Sequence, residues 1–151
     1  MLKSKKEVMR DVGRTLNYKL TVQHRVTGTD ENGYPYEEWQ NFVVIWADKR
    51  GLGGREYYAA AAVQSEHDVV FTARYNQITS QITPEMRIIE GTVETVAELP
   101  EEGEISKKYM EPDGTVYYWT GTCYEQEKPY NIKSASDRYG DKRWLEIRAS
   151  R

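Results

Sequence analysis

The chain has 151 residues, the size of a single domain with its own core, and its twelve tyrosines and four tryptophans exclude a chain that stays disordered. A net charge of −3 excludes a global basic field that would recruit nucleic acid, and the single cysteine, Cys123, excludes an internal disulfide. No apolar run approaches the ~20 residues of a membrane-spanning helix. We therefore expect one soluble domain, 1–151, made in a reducing cytosol and without a membrane partner.

The first part of the chain predicts a hairpin. Residues 1–14 are polar and basic, and they predict a short helix or a flexible arm. In residues 16–26 apolar and polar side chains alternate strictly, which is typical of a strand with one face buried. Asn32-Gly33 then predicts a tight turn because both residues tolerate positive φ, and residues 34–48 predict the second strand.

A glycine-rich segment follows the second strand. Gly51, Gly53 and Gly54 interrupt the strand pattern, and residues 56–65 contain four consecutive alanines, the best helix formers. These residues predict a short helix between strands two and three. Residues 69–75 alternate again and predict the third strand.

The second half of the chain predicts further strands joined by tight turns. Residues 87–99 predict a strand with a break near Gly91, and an acidic linker, 100–103, follows. The segments 111–114 and 137–141 are both typical of hairpin turns. Many short strands with one brief helix predict a mainly β fold, either a small antiparallel barrel or a sandwich.

The histidines, the cysteine and the glycine-rich segment show no catalytic, metal-binding or phosphate-binding pattern. His24 and His67 lack a ligand spacing, and Cys123 lacks a histidine signature that would activate it, so we expect a small, partly buried thiol. The sequence Gly51-Leu-Gly-Gly-Arg55 lacks the Lys-Ser or Lys-Thr pair of a phosphate-binding loop. We therefore predict no catalytic residue, no metal site and no cofactor, and we interpret the glycines as a hinge.

An aromatic cluster after the acidic linker permits two interpretations. Its members are the consecutive residues Tyr117, Tyr118 and Trp119, with Tyr124 further along the chain. Beside the lysine pair 107–108 these rings could stack bases or sugars, which would make the protein an oligonucleotide- or carbohydrate-binding β-barrel. Packing of alternate residues on the barrel is favoured, because glutamates of the same region would repel phosphates.

Several segments, taken in order, resemble one family. They are the opening strand 14–25, the turn 30–34 with Glu38-Trp39, Trp46-Ala-Asp48 with Gly53-Gly-Arg-Glu-Tyr57, the strand Phe71-Thr-Ala-Arg-Tyr75, and the segments 82–88, 130–134 and 144–148. This ordered set resembles the phage head–tail joining proteins, also called head completion, head closure or stopper proteins, of the tailed-phage connector. The resemblance covers about three quarters of the chain.

The resemblance implies a small antiparallel β-barrel that assembles as a ring beneath the portal of a filled capsid. Such a ring docks on an adaptor ring, holds packaged DNA in the head through transient contact, and presents the surface to which tail proteins attach. The resemblance further implies a structural virion protein, not an enzyme, assembled in the cytoplasm of a bacterial host. A tail terminator or another tail-completion protein on a similar barrel is the alternative within the same class.

The resemblance also implies that residues between strands two and three reach toward the channel or a neighbouring subunit. We expect this channel or hinge segment to include Lys49, Arg50, Gly51, Gly53, Gly54 and Arg55. Its basic residues are predicted to contact a subunit or DNA briefly, or else to form structural salt bridges. Tyr57, Tyr58 and Trp119 are the interface candidates, because aromatic residues with polar tips are enriched at interfaces.

Residues 94–128 depart from the family pattern. Family members run directly from a short strand near 88–93 into a segment like 130–134, whereas this chain has about 35 additional residues with their own hairpin signals. We expect an inserted hairpin within the barrel domain, since loops and hairpins tolerate insertions. The insertion could contact the tail, decorate the connector or enlarge the barrel rim.

Overall fold

The computed structural model describes residues 16–51, 68–137 and 140–151, and most of these residues lie in strands. The strands, in chain order, are β1 (Tyr18–Thr29), β2 (Pro35–Gly51), β3 (Val69–Arg74), β4 (Arg87–Glu90), β5 (Thr92–Thr95), β6 (Lys107–Met110), β7 (Val116–Trp119), β8 (Tyr124–Glu127), β9 (Tyr130–Asp137) and β10 (Trp144–Ser150). A single turn of 3-10 helix, Thr79–Gln81, follows β3. The short helix expected over residues 56–65 lies outside the described residues.

Six of the strands form a closed barrel in the order β1-β2-β3-β10-β9-β4, with β4 pairing back onto β1. All of its neighbouring pairs are antiparallel. The prediction of a mainly β, small antiparallel barrel is therefore confirmed, and the closure of β4 onto β1 decides for a barrel over a sandwich. The hairpin turn predicted at Asn32-Gly33 joins β1 to β2. β9 and β10, which flank the turn predicted at residues 137–141, pair with each other, and residues 138–139 of that turn lie outside the described residues.

The barrel core consists of apolar side chains from alternate strand positions, because successive residues of a strand point to opposite faces. Phe71 and Tyr130 meet edge to face near its centre, with ring centroids 5.3 Å apart. Further buried members are Leu20, Val22, Ile45, Ala47, Ala73, Ile88, Ile132, Leu145, Ile147 and Ala149.

A second, four-stranded sheet has the order β5-β6-β7-β8 and packs outside the barrel. The chain enters it at Gly91, whose φ of 91° breaks the strand that was predicted over residues 87–99. The predicted hairpin around residues 111–114 is the β6–β7 pair of this sheet. The sheet also contains a parallel pair, β5–β6, which the hairpin signals did not predict.

The second sheet buries the outer face of β1. Thr21 and Gln23 are fully buried and alternate with the buried residues Leu20 and Val22, so β1 has four consecutive buried positions. The prediction that only one face of this strand is buried is therefore wrong over residues 20–23. Thr21 Oγ1 donates to the carbonyl of Gly91 at 2.6 Å, which ties the strand to the covering sheet.

The β1–β2 hairpin extends beyond the barrel. β1 pairs with β4 only over residues 20–23, and β2 pairs with β3 only over residues 47–51. Residues 26–38 therefore pair only within the hairpin, and we call them the hairpin arm. At its tip Asp30 Oδ1 accepts hydrogen bonds from the backbone N–H groups of Asn32 and Tyr34, at 2.9 and 2.8 Å, so the turn is held by its own residues.

Candidate functional site

Lys49 of the predicted channel segment is part of the barrel. Its Nζ lies 2.6 Å from Glu90 Oε1, and the ring centroids of Tyr18 and Tyr130 are each 5.7 Å from it. Burial lowers the pKa of Lys49, but the hydrogen bonds and charges of Glu90 and Tyr130 more than offset this, so its pKa is raised. The ammonium group is thus committed to a half-buried ion pair that links β2 to β4.

Arg50 and Gly51 continue the same strand. Arg50 Nε lies 3.1 Å from the carboxylate of Asp48, which is nearly buried. Gly51 is the last residue of β2 and pairs with Val69, so the strand runs three residues beyond its predicted end at Asp48. The remaining members of the predicted segment, Gly53, Gly54 and Arg55, and the interface candidates Tyr57 and Tyr58 lie outside the described residues.

Trp119, the third interface candidate, packs within the second sheet. Its ring meets Tyr124 edge to face with centroids 4.8 Å apart, and Tyr124 in turn meets Tyr109 at 5.9 Å. The hydroxyl of Tyr124 donates to the carbonyl of Pro100 at 2.7 Å. These contacts hold the acidic linker against the sheet, so Trp119 has an intramolecular role and leaves only part of its surface exposed.

The neighbouring tyrosines also bond within their own sheet. Tyr118 Oη donates to Glu125 Oε2 at 2.5 Å, and this hydrogen bond raises the pKa of the phenol. Lys108 Nζ lies 2.6 Å from Glu127 Oε1 and 5.3 Å from the Tyr118 ring centroid. The aromatic cluster is therefore built into the second sheet, where rings and lysines have partners, rather than packed on the barrel as expected.

A buried arginine, which no sequence pattern singled out, joins the barrel to the second sheet. Arg87 Nε donates to Gln23 Oε1 at 2.9 Å, and its Nη2 donates to the carbonyl of Gly114 at 2.8 Å. The guanidinium also lies over the ring of Trp39, 4.3 Å from the centroid. Burial, with a smaller contribution from the charge of Arg25, lowers the pKa of Arg87 to about 10. The only sequence signal was an arginine directly before two isoleucines.

A cleft of about 720 Å³ lies at the base of the hairpin arm. Its lining includes His24, Arg25, Trp39 and the turn 83–86. Arg25 Nη1 lies 3.1 Å from Glu37 Oε1, and the His24 ring packs against Phe42 with centroids 5.2 Å apart. In the described ranges no group of three His, Cys, Asp or Glu side chains is placed to hold a metal ion. Cys123 is exposed, so the expectation of a partly buried thiol is wrong.

An apolar groove of about 270 Å³ lies on the outside of β2. It is lined by Val44 and Trp46 of β2, by Ile78 of the turn after β3 and by Arg74. Val44, Trp46 and Ile78 are 44%, 55% and 52% exposed, although all three are large apolar side chains. Patches of this kind on soluble proteins commonly mark interaction sites. We call this surface the β2 groove.

Among the described residues, no helix is long and apolar enough to cross a membrane.

The chain is similar to several solved structures. The solution structure of protein SF1141 from Shigella flexneri 2a is similar at 19% identity and a TM-score of 0.50, covering 90% of this chain and 92% of that chain. A chain of the virion of a native gene transfer agent particle is similar at 16% identity and a TM-score of 0.46, covering 88% and 91%. At these identities the first likeness bears on the fold alone.

No curated protein matches the chain. The model of one protein family does match, over residues 13–151, and its description is phage head completion protein. The matched range includes the whole barrel and the second sheet. This chain belongs to the phage head completion protein family.

Proposed function

We propose that this protein forms a ring in the phage head–tail connector, beneath the portal and its adaptor ring. There it closes the channel through which DNA leaves the head, and it offers the surface to which tail proteins attach. A structural role at the phage head follows from the family, which is not a family of enzymes. The ring, the position below the portal and the closing of the channel are the proposal.

The observation that carries the proposal is the family match over residues 13–151, combined with a closed barrel that keeps apolar surface exposed. A closed barrel has no free sheet edges around its circumference, so it can pack against neighbours without uncontrolled strand pairing. The exposed Val44, Trp46 and Ile78 offer apolar area for contacts with neighbours. A ring of identical subunits brings different patches of two copies together.

The pairing of positive charges at the C-terminal end of β2 supports a channel through which DNA can pass. Lysine and arginine contacts to phosphate supply most non-specific affinity for DNA. Lys49 is held by Glu90 and Arg50 by Asp48, so the two described cations of the proposed channel segment have carboxylate partners. Contact with the duplex at this end would be brief and not adhesive.

The test compares particles assembled with and without this chain. If the protein closes the head, its absence leaves emptied heads without tails in negative-stain images, and adding purified protein back restores DNA retention and tail attachment. Heads that stay full and carry tails of abnormal length would instead indicate a tail terminator. Heads that stay full with normal tails would contradict a connector role.

A further inference from the structure

The exposed apolar surface of the described residues is concentrated in two places. Seven large hydrophobic side chains there are exposed, and five of them belong either to the hairpin arm or to the β2 groove: Tyr34, Tyr36, Val44, Trp46 and Ile78. Scattered single exposures are ordinary, whereas grouped ones indicate a contact surface. Each of the two groups is therefore a candidate contact surface.

The hairpin arm is acidic and preorganised. Its tip contains Asp30 and Glu31, and Tyr34 beside them is 68% exposed. Tyr36 lies directly over Gly28, so close that a Cβ at Gly28 would meet the phenolic oxygen at 2.7 Å. An isolated two-stranded hairpin is marginally stable in water, so an arm with exposed tyrosines gains from packing on another surface.

The β2 groove is apolar and has a basic rim. Arg74 lines it, with its guanidinium 5.3 Å from the Trp144 ring centroid, and Lys19 is the direct cross-strand neighbour of Trp46. Neither cation has a carboxylate partner within residues 16–51, 68–137 and 140–151. The groove therefore complements the arm in two respects: it offers apolar area to the tyrosines and positive charge to Glu31.

The arm cannot reach the groove of its own chain. Tyr36 and Trp46 lie on the same strand, ten positions apart, which is roughly 30 Å at ~3.3 Å per residue. Between these two residues β2 is continuous and pairs with β1 apart from a bulge at Phe42, so the strand does not fold back on itself. Any contact between arm and groove must form between two molecules.

We propose that the hairpin arm of one copy docks into the β2 groove of the next copy, with Tyr34 packed against Trp46 and Ile78 and Glu31 beside Lys19 and Arg74. The contact joins two different patches, so its repetition continues from copy to copy and closes into a ring under rotation. This inference rests on the proposed ring but assigns the surfaces that form it. The alternative occupant of the groove is an unlike virion protein, which would leave the arm and the groove of neighbouring copies apart.

Cysteine cross-linking tests the assignment. The variant Tyr34→Cys/Ile78→Cys is made with Cys123→Ser, because Cys123 is exposed and would otherwise react. The matched control is Tyr34→Cys/Ile105→Cys, since Ile105 is also exposed but lies outside the groove. Both are treated with a short bis-maleimide, in assembled particles and as concentrated purified protein, and their melting curves confirm that they are folded.

The proposal predicts a ladder of covalent multimers for the 34/78 variant, formed at least ~10-fold faster than for the 34/105 control because docking raises the local thiol concentration. The 34/78 variant could instead enter particles and give no ladder, or one that forms no faster than the control's. That result would overturn the docking of the arm into the β2 groove and leave the connector role intact. If the protein is absent from particles, the proposed function fails, and the concentrated protein alone decides whether arm and groove associate.

Discussion

Arg87 and Trp39 lie face to face, with the guanidinium carbon 4.3 Å from the centroid of the indole ring. Arg87 belongs to the barrel strand β4, whereas Trp39 lies at the base of the hairpin arm. The same guanidinium reaches the carbonyl of Gly114 in the turn between β6 and β7. One buried side chain therefore connects the barrel, the base of the hairpin arm and the second sheet.

Substituting Arg87 with lysine should destabilise the protein by about 2–3 kcal/mol. A lysine cannot bond Gln23 and Gly114 together, and a buried acceptor left without a donor costs about 1–3 kcal/mol. Urea unfolding of the purified protein measures the loss. Arg25→Lys is the control, because the guanidinium of Arg25 also lies over the Trp39 ring, 4.8 Å from its centroid, but is exposed. A similar loss for both variants would contradict the role assigned to Arg87.

Gly114→Ala should destabilise more than Gly121→Ala. Both glycines have positive φ, 88° and 105°, so alanine is strained by about 1–3 kcal/mol at either position. At Gly114 the added Cβ would also lie 2.7 Å from Trp39 Cδ1, whereas nothing lies within 4 Å at Gly121. The difference in unfolding free energy between the two variants measures the contact with Trp39, and equal losses would show that the turn does not press on this ring.

Lys49→Met should lower the free energy of unfolding by about 1–2 kcal/mol, because it leaves the half-buried Glu90 without its cation. Lys107→Met, the matched control, removes a lysine whose side chain and whose partners Glu94 and Glu104 are all more exposed, so it should cost less. The loss for Lys49→Met should depend on pH. The pKa of Lys49 is raised in the folded state, so its contribution is complete below the unfolded value of 10.5 and disappears as pH rises through the folded pKa.

Urea unfolding at several pH values between 7 and 11 checks this dependence. The difference between the wild-type chain and Lys49→Met should stay constant up to about pH 9.5 and shrink above the unfolded pKa. A difference that grows with pH would mean that the ion pair does not stabilise the charged lysine.

Replacing residues 92–127 with a short glycine-serine linker should yield an unstable or insoluble protein, although the ends of β4 and β9 lie side by side and can be joined. The deletion exposes Ile89 and the outer face of β1, and it removes the Gly114 acceptor of Arg87. Shortening only the exposed turn 120–123 to Asn-Gly should have little effect. Solubility and far-UV circular dichroism of the two variants check this prediction. A soluble, folded deletion variant would show that the second sheet is not needed to cover the barrel.

The sequence predicted the barrel strands well but not the surroundings of β1. Alternating side chains and the Asn32-Gly33 turn are local signals, so β1 and β2 were expected where they occur. Thr21 and Gln23 look like solvent-facing residues of such a strand, yet the second sheet covers them. Trp119 was an interface candidate because of its residue type, and its contact with Tyr124 became visible only in the pairing of β7 with β8.

By itself the sequence determined the strands, the tight turns and the break at Gly91, because backbone propensity and side-chain alternation act within a few residues. It also contained the ordered segments that resemble the head completion family. Only the tertiary structure decided that β4 closes onto β1, that a four-stranded sheet covers that seam and that Arg87 is buried beneath it. These features depend on contacts between distant residues, such as Thr21 with Gly91, 70 positions apart, and Arg87 with Gln23, 64 positions apart, which no local pattern encodes.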